Sequence, residues 1–282
     1  MAFDLYDGGA GEYDNEVFTA SGNFTVPDNV YRVWITGCGA GGAGGGGTTT
    51  ISGSYDHGAT GGGSGEHVFR RPVDVTPGDV IAVTIGAGGT GPSGGSANPG
   101  TDGPDGGYTS FGSYVYLDGG KGGKGAYTLG SAAGRNGGLG GGGGYAGYYD
   151  ISYAFTNPPR AAANRHVGGA SAKCIGVYSV TTNNIWPWQT ERKSQTMHGS
   201  YYDGGQDGNG FSTFNISSGT GGAGSYWGTG GEGAHYLNAS TYPATNGGTG
   251  AGGGGGVCSS YGSSSYSAGD GGDGYMIVDW KV

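Results

Sequence analysis

The side chains able to do covalent or ligand chemistry are few, and their spacing argues against catalysis. His57, His67, His166, His198 and His235 are the five histidines. They show neither the H-E-x-x-H spacing nor any other pairing that would bring two imidazoles to one metal. Each reads as a loop hydrogen-bonder, and no metal or other cofactor is assigned. Cys38, Cys174 and Cys258 form an odd, scattered set that fits no zinc spacing and no disulfide framework, so they read as reduced, mostly buried thiols. Asp-Gly pairs at Asp102, Asp105, Asp203, Asp207, Asp270 and Asp273 lack the D-x-[DN]-x-[DN]-G spacing and distal glutamate of a calcium loop. They read as turn formers. Glu12, Glu16, Glu66, Glu191 and Glu232 make no evident pair for glycoside hydrolysis, and no serine, histidine and acid stand in a nucleophile context. Glycine is so abundant that a G-x-G-x-x-G match arises by chance, and a dinucleotide site also requires a βαβ unit. The chain is therefore read as a non-enzyme.

Tyrosine is the remaining signal. There are 21 Tyr against 8 Phe, concentrated after residue 108. A tyrosine offers a flat apolar face and a hydroxyl at low conformational cost, which suits recognition surfaces. The candidate receptor-binding residues are Tyr148, Tyr149, Trp186, Trp188, Tyr201, Tyr202, Tyr226 and Trp227. The competing reading is that such rings shield glycine-rich backbone. A net charge of −9 with only 12 Lys+Arg withholds the basic patch that phosphate contacts require, so nucleic acid is excluded as a partner. No stretch nears the roughly 18 apolar residues of a spanning helix, and no membrane insertion is expected. Asp4 and Asp7 stand where a secretory signal carries positive charge, so synthesis and folding in a cytosol are expected.

Positioning such residues falls to an unusual backbone. Seventy-four of the 282 residues are glycine, in blocks such as Gly41–Gly47, Gly61–Gly63 and Gly140–Gly144 placed between segments of strand character. Ordering glycine is costly, and an apolar fraction of 34% supports a conventional core for only part of the chain. Collagen is rejected, because glycine does not recur at every third place and there are only ten prolines. Glycine runs can instead form polyproline II helices of about 3 residues per turn. Their outward N–H and C=O groups bond to neighbouring helices, and side chains would hold those neighbours apart. Strand signals lie at residues 16–36, in HVFRRPVDV and VIAVTI joined by Thr76-Pro77-Gly78-Asp79 as a hairpin or corner, at 109–117, and in the closing YMIVDWKV. Tyr31, Val33 and Ile35 are expected on one face, with Arg32, Trp34 and Thr36 on the other. The last strand needs partners from the first half. The most economical fold is all-β, a β-sandwich or jelly roll whose loops are polyglycine helices. Residues 16–282 read as a single domain, 145–218 as a less glycine-rich insertion or small subdomain, and 1–15 as a candidate docking segment.

Four ordered motifs, FTVPDNVYRVWITGCGAGG at 24–42, VTPGDVIAVTIGAGG at 75–89, SFGSYVYLDGGKGG at 110–123 and GGDGYMIVDW at 271–280, resemble the glycine-rich domain of tailed-phage tail-fibre and adhesin proteins. The resemblance as a whole covers about half the chain. The order is also similar to the glycine-rich region of anaplastic-lymphoma-kinase-type receptors. That likeness implies a jelly-roll, tumour-necrosis-factor-like β-sandwich with an inserted bundle of polyglycine II helices. The phage resemblance implies a virion receptor-binding protein, on a tail fibre or tail tip, that binds a bacterial surface glycan or outer-membrane protein through aromatic loops. It further implies contacts with other virion proteins and a homotrimer. A structural virion component, such as a head fibre, capsid decoration or tail cap, is the alternative expectation.

Overall fold

Alternating β-branched and aromatic residues give each long strand one face for a core and one for the exterior. The structure, a computed structural model, describes residues 12–48, 56–57, 59–95, 100–125, 127–128, 177–178, 185–186, 194–195, 201–202, 222, 224–234, 243–256 and 267–282. In chain order the strands are β1 (Tyr13–Phe18), β2 (Gly22–Thr25), β3 (Arg32–Cys38), β4 (Asp56–His57), β5 (His67–Asp74), β6 (Val80–Thr84), β7 (Thr109–Phe111), β8 (Val115–Leu117), β9 (Tyr127–Thr128), β10 (Val177–Tyr178), β11 (Ile185–Trp186), β12 (Ser194–Gln195), β13 (Tyr201–Tyr202) and β14 (Tyr275–Lys281). No helix occurs among the described residues, and every strand pair is antiparallel. The chain is all-β.

Two four-stranded sheets carry the fold, in the orders β1-β14-β3-β5 and β2-β6-β7-β8. The last strand lies between β1 and β3, so partners from the first half hold it as the sequence requires. Their inner faces share one core, in which Phe24, Ile35, Phe111, Leu117 and Met276 are almost fully buried. Phe24 packs its ring 5.8 Å from Phe111 and 5.4 Å from Trp280, which joins the second sheet to the first. Burying each such side chain is worth about 1.5–3 kcal/mol.

The segment from β5 to β6 is a corner rather than a hairpin, because β5 pairs with β3 and β6 with β2 and β7. Pro77-Gly78 makes the turn: Gly78 holds φ +82, the left-handed conformation a type II turn demands, and the Asp79 N–H donates to the Thr76 carbonyl at 3.1 Å. Pro72 lacks an N–H, and its strand β5 lies at a sheet edge, where proline is tolerated. One local reading needs correction. Tyr31 is 66% exposed rather than in the core with Val33 and Ile35, since β3 begins only at Arg32. The sheet also starts at Tyr13, within the stretch read as a docking segment; Tyr13, Asp14 and Asn15 pair with Lys281, Trp280 and Asp279.

Four of the described glycine tracts are continuations of strands. Segment 39–47 follows β3, 118–125 follows β8, 59–66 leads into β5 and 268–274 leads into β14. In segment 39–47 the N–H groups of Gly39, Gly42 and Gly45 donate to the carbonyls of Glu66, Gly63 and Thr60. Those of Ala40, Ala43 and Gly46 donate to Gly107, Pro104 and Thr101, and those of Gly41 and Gly44 to Gly272 and Gly269. Partners recede by three as donors advance by three, so every third residue faces the same antiparallel neighbour. The carbonyls reach other segments: those of Ala40 and Ala43 accept from Gly120 and Gly123, those of Gly42 and Gly45 from Gly253 and Gly256, and that of Gly41 from Gly89. One buried segment is thus bonded to six others. A Cβ on Gly41, Gly42, Gly44 or Gly45 would fall on the carbonyl of Ala251, Lys121, Gly254 or Lys124. Glycine is required there for approach.

The described Asp-Gly aspartates do not act as turn formers. Asp102 and Asp105 accept from the N–H groups of Gly125 and Gly122 at 3.0 and 2.8 Å. Asp270 and Asp273 accept from Gly91 and Gly88 at 2.6 and 2.8 Å. Because neighbours recur every third residue, a carboxylate three positions on returns to the same neighbour, so these side chains bind segment to segment.

Candidate functional site

The outer face of the first sheet carries a concentration of rings organised by a β-bulge. Ile35 pairs with Arg71 and Gly37 with Val68, so Phe69 and Arg70 together stand opposite Thr36. An extra residue of this kind re-aims its side chains. Arg70 takes φ +42, and its N–H donates to the Thr36 hydroxyl at 3.0 Å, which is part of why Thr36 is covered although it lies on the outer side of β3. The two bulged residues lead in different directions.

Phe69 leads into an aromatic stack. Its ring lies 5.6 Å from Trp227 at an interplanar angle of 17° and 4.4 Å from Tyr226 edge-on. Trp227 also meets Tyr275 of β14 at 5.8 Å. The turn presenting Tyr226 and Trp227 is fixed by the buried Ser225, whose hydroxyl accepts from the N–H groups of Trp227 and Gly228 at 3.2 and 3.0 Å and donates to the Thr249 carbonyl. Tyr226 remains 45% exposed, so the stack faces solvent with its backbone immobilised from below.

Arg70 leads the other way. Its guanidinium lies 5.2 Å from the Tyr13 ring centroid and 5.6 Å from that of Trp34, and those rings meet edge-on at 5.7 Å. Cation–π contacts of this kind hold the side chain in place. Asp279 of β14, outward-facing and half-buried, feels two opposing influences. Burial pushes its carboxyl above the ordinary range, and the charge of Arg70 offsets part of that rise. On the second sheet Tyr108 and Tyr116 stack at 4.7 Å away from this face. Cys38 is a free, buried thiol pushed up to about 12 by desolvation, an inert state that matches its reading as a reduced core cysteine.

The structure brings Tyr226 and Trp227 together with Phe69 and Tyr275. Of the other expected residues, Trp186 lies on β11 opposite Val177, and Tyr201 and Tyr202 lie on β13 opposite Gln195 and Ser194. Tyr148, Tyr149 and Trp188 lie outside the described residues. Sequence reasoning missed Phe69, Arg70, Tyr13, Trp34 and Tyr275, because HVFRRPVDV reads simply as a strand. Two adjacent arginines ahead of a proline were the available hint that its alternation is broken.

A family model of the glycine-rich domain matches residues 19–281, which takes in every strand from β2 onward and all the described glycine segments. The chain belongs to this glycine-rich domain family. No curated protein matches the chain.

Proposed function

We propose that this chain is a non-enzymatic virion adhesin of a tailed phage, exposed on a tail fibre or tail tip, that binds a bacterial surface glycan or outer-membrane protein. The observation that carries the reading is the aromatic face built from Phe69, Tyr226, Trp227 and Tyr275, partly buried but with Tyr226 exposed, and with Arg70 beside Tyr13 and Trp34. Rings fixed on a rigid backbone lose little entropy on binding. The four motifs in phage-like order support the same reading. Within it, the glycine tracts are polyglycine II helices inserted in a jelly-roll sandwich. The three-residue recurrence of hydrogen-bond partners supports that assignment, since such helices turn about every 3 residues. The protein is made in the host cytoplasm, joins other virion proteins and assembles as a homotrimer on the virion exterior, which light scattering checks.

The test is adsorption. Purified full-length chain, fluorescently labelled, should bind a subset of a bacterial panel, and replacing Tyr226 and Trp227 with alanine should remove most of that binding. Absence of binding across the panel, with infection indifferent to the double substitution, would overturn the adhesin reading and leave the structural virion component.

A further inference from the structure

Arg70 is a strained residue whose hydrogen-bonding fork has no use among the described residues. Only two described non-glycine residues hold positive φ, Asn29 and Arg70. Asn29 sits in a turn, where asparagine adopts that conformation readily, whereas arginine does so at a conformational cost that clusters at functional sites. The exposed side chain is nonetheless held over Tyr13 and Trp34. Arg32, Lys121 and Lys124 are paired with Asp74, Asp105 and Asp102. Among the described residues no acceptor hydrogen-bonds or ion-pairs with the Arg70 guanidinium. A planar fork of N–H donors suits the two oxygens of a carboxylate or phosphate. On the other side of the same bulge stands the Phe69–Tyr226–Trp227 stack, an apolar surface of the kind on which the C–H face of a sugar ring rests. Asp279 adds an acceptor for sugar hydroxyls close enough to feel the charge of Arg70.

We propose that this bulge is a subsite for an anionic sugar, a pyranose whose oxyanion takes the Arg70 guanidinium while its apolar face lies against the Phe69–Tyr226–Trp227 stack. The inference deepens the adhesin reading and rests on it for the source of the ligand, a bacterial surface glycan. Titration calorimetry on the full chain with three probes tests it: an oligogalacturonate, a sugar phosphate and neutral maltotetraose. Both anionic probes should bind, the neutral one at least about tenfold more weakly, as expected for loss of a charged hydrogen bond. The stronger of the two anionic arms tells a carboxylated from a phosphorylated glycan. Arg70→Lys keeps the charge but loses the fork and should weaken binding roughly tenfold. Arg70→Gly suits the positive φ, should leave the melting temperature within a few degrees and should abolish discrimination between charged and neutral sugar. Equal binding of all three probes, no binding at millimolar concentration, or undiminished binding by Arg70→Gly overturns the subsite. If Arg70→Gly adsorbs to cells like the parent, the subsite falls while the adhesin reading stands. Arg70-dependent sugar binding without any cell adsorption gives the reverse.

Discussion

Ala40 and Ala43 are fully buried in segment 39–47, and Gly46, three residues further on, would place a Cβ no nearer than 3.2 Å to any neighbour. A Cβ on Gly44 would instead fall on the carbonyl of Gly254. One row of the three-residue repeat thus accepts a methyl group and the other rows do not. Gly44→Ala is expected to destabilise the fold by about 2–4 kcal/mol through backbone displacement. Gly46→Ala should fall within about 0.5 kcal/mol, since the loss of unfolded-chain freedom offsets minor crowding. Urea unfolding of the two variants checks the contrast, and similar losses at both would contradict the packing account. Asp279 gives a second test at this scale. Its folded carboxyl is raised by burial, so between the ordinary carboxylate range and that raised value the native state holds a proton the unfolded chain has lost. Stability therefore falls as pH climbs through that window and stays lower above it. Asp279→Asn should remove the fall, leaving the variant's advantage in urea midpoint larger near neutral pH than in mild acid. An equal advantage at both would show that burial of the charge is not what matters there.

Between segments, side chains act as connectors wherever the three-residue recurrence of neighbours brings them to one. Asp105 binds the Gly122 N–H at 2.8 Å and also pairs with Lys121 at 2.7 Å. The lysine side chain is 59% exposed, and an exposed pair contributes little. If the carboxylate serves mainly as a backbone acceptor, Asp105→Ala should cost about 1–2 kcal/mol by leaving the amide unpaired, while Lys121→Ala should cost less than about 0.5 kcal/mol. Equal losses in thermal unfolding would assign the effect to the ion pair instead. This spacing was visible in the text as D-G-P-D-G and K-G-G-K-G. It was passed over because Asp-Gly is also a turn signal, and a single pair does not distinguish the two. The strands were easier to read, since alternation and the Pro77-Gly78 corner are coded by side chains. Which glycine segment meets which could not be read, because bare backbone carries no side-chain code for its partner. The same limit hid half of the candidate site. Tyr226-Trp227 stands out as an aromatic pair, but its union with Phe69 and Arg70 depends on a bulge that a strand-like run of letters conceals.

Across the molecule, the glycine layer has almost no side chains with which to recover the cost of ordering it. Fixing a residue's backbone takes roughly 1–2 kcal/mol, and a typical hydrogen bond returns about 1 kcal/mol net, so an isolated glycine segment would not hold its shape. The segments are not isolated. Segment 39–47 runs directly out of β3 and bonds to chain from Thr60 to Gly272, and releasing it would leave buried N–H and C=O groups of six other segments without partners. Opening one segment therefore costs far more than its own bonds, and the layer should open only when the sandwich does. Hydrogen exchange provides the measurement. The amides of Gly41, Gly42, Gly44 and Gly45, bonded at 2.8–3.0 Å, should be protected to the same degree as those of Val33 and Ile35 in β3 and respond to denaturant with the same slope, the mark of exchange through global unfolding. If the glycine amides exchange orders of magnitude faster than Val33, the layer is a separately opening unit. It would then give no rigid support to the Ser225 turn, whose hydroxyl is anchored on Thr249 beside Gly250, and the aromatic face would have to be ordered by its ligand rather than presented to it.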